Sequence, residues 1–436
     1  MSVRHTDAGE ECRRARQVRL AAVVAGLVLL ASPGRASAQT ADALVDADLT
    51  VGAGATLANA IGDLTASVQA RWVPDRLFAE RGVPRRAANA GYRTARLFFV
   101  DLPQVQWLLV ANHEVFGHGG RVRELFDGLL QFHIDPPWPY GRGGGVTFFG
   151  LDRDFTVHEV QAISIAGMEV NAVAAGQTAR RAFAEREWTP RTALRYLAFE
   201  LDAFEYIQKT SDEPERPGHD VSDFLELYNL LADATGAEPL TPRTLRRQSW
   251  ISLANPMVAS ALVTIGEYLA TGDSEGRIFA IPIGSSRVMP AARYRFTPFG
   301  PEWAVSGDVE RGGTAAQVTV RVGRAPLTRP WAVAASYSGL SSRAWRVDVG
   351  LEVWRQPPLT LGAEPDFGIP RAGADLEWGG EVRARAEHPF VSLWGSPPLT
   401  LIVDAGLKTT GVTPGEPLGR GLVLRAGLGL PLIGRR

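Results

Sequence analysis

The stretch Trp345-Arg346-Val347-Asp348-Val349-Gly350-Leu351-Glu352-Val353-Trp354 alternates without a break. Trp345, Val347, Val349, Leu351 and Val353 share one face, and Arg346, Asp348 and Glu352 share the other. A period of two belongs to an extended strand, whose successive side chains point to opposite sides. The pattern recurs on both sides of this stretch. In 399–408, Leu399, Leu401, Val403, Ala405 and Leu407 oppose Thr400, Asp404 and Lys408; in 317–323, Val318, Val320 and Val322 oppose Gln317, Thr319 and Arg321. From about 288 to the end, strands are predicted over 291–298, 302–310, 315–323, 330–338, 343–354, 378–387, 398–408 and 420–430. Turns such as Gln356-Pro357-Pro358 separate them. Residues 288–436 therefore read as a C-terminal antiparallel all-β domain, and the chain as α+β.

An alternating strand suits two architectures. In a soluble sandwich the apolar face is the core. In an outer-membrane barrel the apolar face meets lipid and the charged face lines the lumen. Trp303, Trp331, Trp345, Trp354, Trp378 and Trp394 fall near strand ends, where an interfacial aromatic girdle would stand. In these respects the C-terminal part resembles outer-membrane β-barrel proteins, and a barrel is the expectation.

The N-terminus points to the same compartment. Arg13, Arg14, Arg16 and Arg19 precede the apolar run Leu20–Ala31, and Ala36-Ser37-Ala38 offers a small-x-small cleavage site. Residues 1–38 thus read as a signal peptide, which implies export to the periplasm or outer membrane of a Gram-negative bacterium. The only cysteine, Cys12, lies within that segment, so thiolate ligands and disulfides are not expected in the mature chain. A formal net charge of −1 gives no electrostatic reason to expect nucleic acid as a partner.

Between these ends, residues 39–92 read as a β-hairpin (43–57 and 64–73) followed by a linker. Residues 93–287 turn to helical periodicity over about 93–272, with helices expected at 93–100, 104–118, 120–131, 157–184, 190–209, 220–234, 241–250 and 256–271. The Pro- and Gly-rich segment 135–145 reads as a loop. Thr156 followed by Glu159 has the form of a capping box. The apolar stretch 251–271 contains Asn255, Pro256 and Glu267, which favours a core helix over a membrane span.

Chemistry concentrates in Asn112-His113-Glu114-Val115-Phe116-Gly117-His118. Two imidazoles one turn apart with an adjacent carboxylate are how a helix presents two zinc ligands and a general base. Here the second His comes at i+5, about 140° out of phase on a regular helix. One residue absorbed in a π turn restores the alignment, and Gly117 is well suited to such a distortion. Zinc in a catalytic role wants a third N or O ligand. Glu169 is the leading candidate, because a carboxylate in the apolar run Ala162–Val173 is costly unless it meets a cation or a metal. Glu159 is the runner-up. Asn171 stands behind the ligands, and Arg121 is a candidate to steady a substrate. His133, His219 and His388 read as loop or surface residues, His158 as a helix-start residue, and Glu267 as a partner for an Arg.

The six residues His113–His118 resemble the HExxGH motif of the dipeptidyl-peptidase-III family of zinc metallopeptidases. The resemblance implies that His113 and His118 ligate one Zn2+, that Glu114 acts as general base, and that a Glu about fifty residues on, here Glu169, completes the set. It covers six residues only, and the family's second motif is absent. The expectation is an exported zinc-dependent metallopeptidase-like hydrolase acting on a peptide or protein at the outer membrane. The alternative is a non-enzymatic outer-membrane barrel whose helical part is a plug or a partner-binding module.

Overall fold

A computed structural model describes residues 40–432 apart from 80–81, 187, 213–217, 343, 363–374 and 393–397. The expected signal peptide, Cys12 and Trp394 lie outside the described residues. The fold is α+β: a helical assembly packed on one large antiparallel sheet.

Strand β1 (Thr40–Val45) leads into helix α1 (Val51–Trp72). Segment 64–73, expected as the second strand of a hairpin, is the C-terminal half of that helix. Its alternation was carried largely by Ala, and Ala, Leu, Gln and Arg are strong helix formers. Next comes a helical run in three pieces, α2 (Val83–Arg96), α3 (Leu102–Ala111) and α4 (Gly119–Leu125), joined by π-helical turns at Leu97–Asp101 and Asn112–His118. The helix expected over 120–131 ends at Leu125. The short strands β2 (Leu130–Ile134) and β3 (Gly145–Phe149) then form a separate hairpin around the Pro/Gly loop.

Helices α5 (Val157–Glu185), α6 (Pro190–Lys209), α7 (Asp220–Thr235), α8 (Pro242–Ser249) and α9 (Pro256–Thr271) start and stop where their punctuation indicates. The Thr156–Glu159 capping box is formed in full. Thr189, His219, Thr241 and Asn255 each accept a backbone N–H at a helix start. Gly236 and Gly272 end α7 and α9 in the left-handed conformation. No single described helix is long and apolar enough to cross a membrane. The 251–271 stretch breaks at Asn255 into a 3-10 turn and α9.

The remaining strands are β4 (Ile281–Ile283), β5 (Ser286–Thr297), β6 (Gly300–Arg311), β7 (Thr314–Gly323), β8 (Trp331–Ser342), β9 (Trp345–Gln356), β10 (Glu377–Val391), β11 (Leu399–Lys408) and β12 (Gly421–Pro431). They pair with sequence neighbours throughout, and β1 returns to pair with β12, giving ten strands in the order β1-β12-β11-β10-β9-β8-β7-β6-β5-β4. The sheet is open. Its edge strands β1 and β4 do not pair among the described residues, so the expected closed barrel is replaced by a curved wall.

The charged face of this wall is turned inward, toward the helices, and an aliphatic face is turned outward. On β6, Glu302, Asp308 and Glu310 are buried while Val305 and Val309 are exposed. Register places Asp348, Arg385, Asp404 and Arg425 side by side on four adjacent strands, a row of alternating charge on the inner face. Opposite charges across a strand pair attract, and burial strengthens that attraction. Helix α5 sits against this face. Arg186, at its end, pairs with Glu310 at 2.7 Å. Arg180, one and a half turns earlier, lies within electrostatic range of Asp308 on β6, Asp348 on β9 and Arg383 on β10, so the sheet curves around this end of the helix. The apolar core lies among the helices, where Val170, Ala174 and Phe183 of α5 meet Tyr196 and Phe199 of α6 and Met257 and Ala261 of α9.

Candidate metal centre

The extra residue in the His-Glu-x-x-Gly-His stretch is taken up by the π turn Asn112–His118, which keeps right-handed helical backbone angles at both ends. The wider turn brings both imidazoles to one side, with ring centroids 4.9 Å apart. Gly117 serves a different purpose from the one its flexibility suggests. A Cβ there would stand 2.5 Å from the Cα of Gly167, so the glycine lets the π turn and α5 touch backbone to backbone. Gly167 is required in its turn, since a Cβ on it would meet the His113 ring at 2.2 Å.

Each imidazole is held through its outer nitrogen. His113 Nδ1 lies 3.1 Å from Asp202 Oδ2, on α6, and His118 Nδ1 lies 2.7 Å from the Ile163 carbonyl, on α5. Both partners are acceptors, so each Nδ1 donates and each Nε2 is directed inward. Asn171 joins the same network: its amide donates to Asp202 at 2.8 Å, and Asn112 donates to its oxygen at 2.7 Å. A carboxylate or carbonyl behind a ligating imidazole fixes its tautomer and raises its basicity.

The two Nε2 atoms converge on Asp220 at the start of α7, at 2.9 Å from His113 and 3.4 Å from His118. His113, His118 and Asp220 form a buried-to-intermediate group whose ligand atoms all lie within 4.8 Å of one another. Ligands about 2.0–2.1 Å from a tetrahedral ion stand about 3.3 Å apart, so the three ligand atoms are close enough together to hold one metal ion. Without a metal the cluster is an ion-pair network. Burial works against the charged form of Asp220, yet the two imidazoles hold its pKa below the usual carboxylate range. Burial likewise opposes the imidazolium of His113, and Asp202 and Asp220 outweigh it, raising its pKa well above 6.5. His118 shifts upward too, chiefly because Asp220 overcomes burial.

Glu114 is buried beside this group, at 5% exposure. Thr147 of β3 donates to its Oε2 at 2.7 Å, leaving Oε1 without a protein partner among the described residues. Gly145 lies against the same side chain, where a Cβ would come within 2.7 Å of Glu114 Cγ. Tyr206 stacks on His113 at 5.1 Å and 13°. Its phenol pKa is raised by burial and by the nearby carboxylates Asp220, Asp202 and Glu114.

Glu169, the expected third ligand, is held elsewhere. Arg121 grips both its oxygens at 2.7 and 2.8 Å, and the Gly415 amide donates to it at 2.9 Å. The carboxylate in an apolar helix did need a cation, and the cation is Arg121. That residue also binds Glu124 and the Glu416 carbonyl, so it ties the helices to the β11–β12 loop and does not face the imidazoles. Glu159 closes its capping box and pairs with Arg153 at 2.7 Å. His219 caps α7, His133 is exposed beside Asp135, and Glu267 meets Arg277 at 3.7 Å. His388, expected at the surface, is 4% exposed in β10 and stacks on Trp345. Sequence reasoning missed Asp220, Asp202, Thr147 and Tyr206. Asp220 lies more than a hundred residues beyond His118, and no local spacing links the two. Asp202 and Tyr206 share a face one turn apart on α6, a weak signal that many solvated helices carry. No protein family, curated protein or solved structure compared with the chain matches it.

Proposed function

We propose that this chain is a metal-dependent hydrolase of metallopeptidase type, with His113, His118 and Asp220 holding one Zn2+ and Glu114 as general base. One observation carries the reading. Two inward-facing Nε2 atoms and one carboxylate oxygen meet at ligand-to-ligand distances, each imidazole is anchored from behind, and a buried carboxylate stands alongside. Two nitrogens and one oxygen are a catalytic zinc donor set with a coordination position to spare. A bound zinc ion supplies Lewis-acid polarisation of a carbonyl and makes water acidic enough to ionise near neutral pH.

The chain's own groups do the rest. Glu114 accepts the proton of the attacking water at Oε1 and returns it to the leaving amine, while Thr147 keeps Oε2 occupied and the carboxylate oriented. Tyr206 stacks on the His113 ring and covers one face of that imidazole. Asp202 holds His113 in the tautomer that leaves Nε2 free.

Metal analysis of the purified chain tests the assignment. One zinc per chain is expected, lost in His118→Ala and in Asp220→Ala and kept in Glu169→Gln. Zinc kept in Asp220→Ala and lost in Glu169→Gln would reject this ligand set. Peptide hydrolysis should disappear with the metal and return when zinc is added back.

A further inference from the structure

We propose that the convex face of the ten-stranded sheet is a lipid-facing surface, embedded in the hydrocarbon core of a bilayer. This goes beyond the metal centre and does not depend on it. Strand register turns the alternation into rows that cross the sheet. Val318, Ala335, Leu351, Val382, Leu407 and Leu422 lie side by side on β7 through β12. Val318, Leu351, Val382 and Leu407 are 52, 52, 60 and 66% exposed. The next row, Val320, Val333, Val353 and Gly380, carries no charge either, nor does the row of Ala316, Tyr337, Val349, Ala384, Ala405 and Leu424 on the other side.

Charge returns only at the border. There Val322, Trp331, Arg355 and Trp378 align across β7 to β10, with Trp331 and Trp378 edge to face at 5.4 Å and the Arg355 guanidinium over Trp378. Trp and Arg at the margin of an aliphatic band are the side chains that tolerate a headgroup region. Along β9 the band runs from Trp345 to Arg355, eleven residues and so ten steps. At about 3.3 Å per residue that is about 33 Å, and at a tilt of about 40° it projects to about 25 Å, the height of the apolar band of outer-membrane sheets.

Size separates this surface from an ordinary apolar patch. Seven strands, β6 to β12, about 4.8 Å apart and about 25 Å high cover about 800 Å², above the roughly 300–600 Å² of the largest patch on a typical soluble monomer. The inner face holds the ion pairs, so the sheet cannot invert in water to hide its aliphatic side. Helices stand at both ends of the sheet, α1 against the edge strand β1 and α9 against β5.

Site-directed spin labelling of the full chain in vesicles of phosphatidylcholine and phosphatidylglycerol tests this. In a Cys12→Ser background, single nitroxides are placed outward (Leu351→Cys, Val382→Cys) and inward (Ser336→Cys, Gln317→Cys). The outward labels should be severalfold more accessible to oxygen than to a water-soluble nickel chelate, and the inward labels should not. The unlabelled wild-type chain should float with the vesicles after an alkaline carbonate wash, a result that no substitution can compromise. A wild-type chain that stays monomeric in detergent-free buffer and does not float would overturn the proposal. So would outward labels shielded from both reagents with spin–spin broadening between chains, which would make a second copy the occupant.

Discussion

At the scale of single residues, the proposed site divides into candidate metal ligands, groups that hold those ligands, and one candidate proton carrier. Glu114→Gln keeps the shape and removes the base. It should retain zinc and lower turnover about 100- to 10,000-fold, read from steady-state hydrolysis with metal content measured on the same sample. Asp202→Asn cannot accept the His113 Nδ1–H as an anion, and metal affinity should fall about 10- to 100-fold in chelator competition. His158 makes a separate pH prediction. It accepts the Thr360 amide at Nδ1 and must therefore be neutral, and burial pushes its pKa from 6.5 down to about 4, with Glu159 pulling weakly the other way. The unfolded chain takes up this proton at higher pH than the folded one, so its contribution is present above about pH 6.5 and lost as pH falls toward 4. In the metal-free protein His113 and His118 act in the opposite sense: their raised pKa values stabilise below 6.5, and that stability is lost as pH rises through them. The destabilisation caused by His158→Gln should shrink by about 2 kcal/mol from about pH 7.5 to about pH 5 in urea titrations, because the wild type loses what the variant lacks.

At the scale of elements, the π turn and helix α5 act as one unit. Gly117 and Gly167 let their backbones touch, and His118 reaches the Ile163 carbonyl across the same contact. Gly167→Ala adds a methyl group where the His113 ring lies, so the turn must move off the helix. Zinc content should fall to a small fraction of wild type. Gly91→Ala, on α2 with nothing within 4 Å of the added methyl, should leave zinc unchanged and raise stability by up to about 1 kcal/mol in thermal unfolding. The legible elements were those with local punctuation. Thr156, Thr189, Thr241 and Asn255 mark helix starts, Gly236 and Gly272 mark ends, and the long strands keep strict alternation. Segment 64–73 and the β2–β3 hairpin were misread because Ala-rich alternation fits a helix equally well and five-residue strands are too short to show a period.

At the scale of the whole molecule, the helices are fastened to the inner face of the sheet and its loops by ion pairs in which the carboxylates are largely buried. Arg121 joins Glu169 and Glu124 to the β11–β12 loop, Arg293 of β5 meets Glu200 of α6 at 2.7 Å, and Arg186 meets Glu310. Arg121→Met should leave two carboxylates without their cation and cost about 3–5 kcal/mol in denaturant unfolding, with one zinc per chain retained, which separates its fastening role from the ligand set. The sequence by itself determined the α+β class, the eight long C-terminal strands, most helix boundaries, the paired His113 and His118 and the need for a π turn between them, because each rests on periodicity or on neighbours a few residues apart. Only the tertiary structure decided which carboxylate meets the two imidazoles, the partners behind them, the return of β1 to β12 and the open edge of the sheet. Asp220 and Glu169 are both carboxylates on apolar helices, and nothing local distinguishes one that faces two imidazoles from one that faces an arginine. That choice is made by the packing of α7 against α5, which brings together residues more than a hundred positions apart.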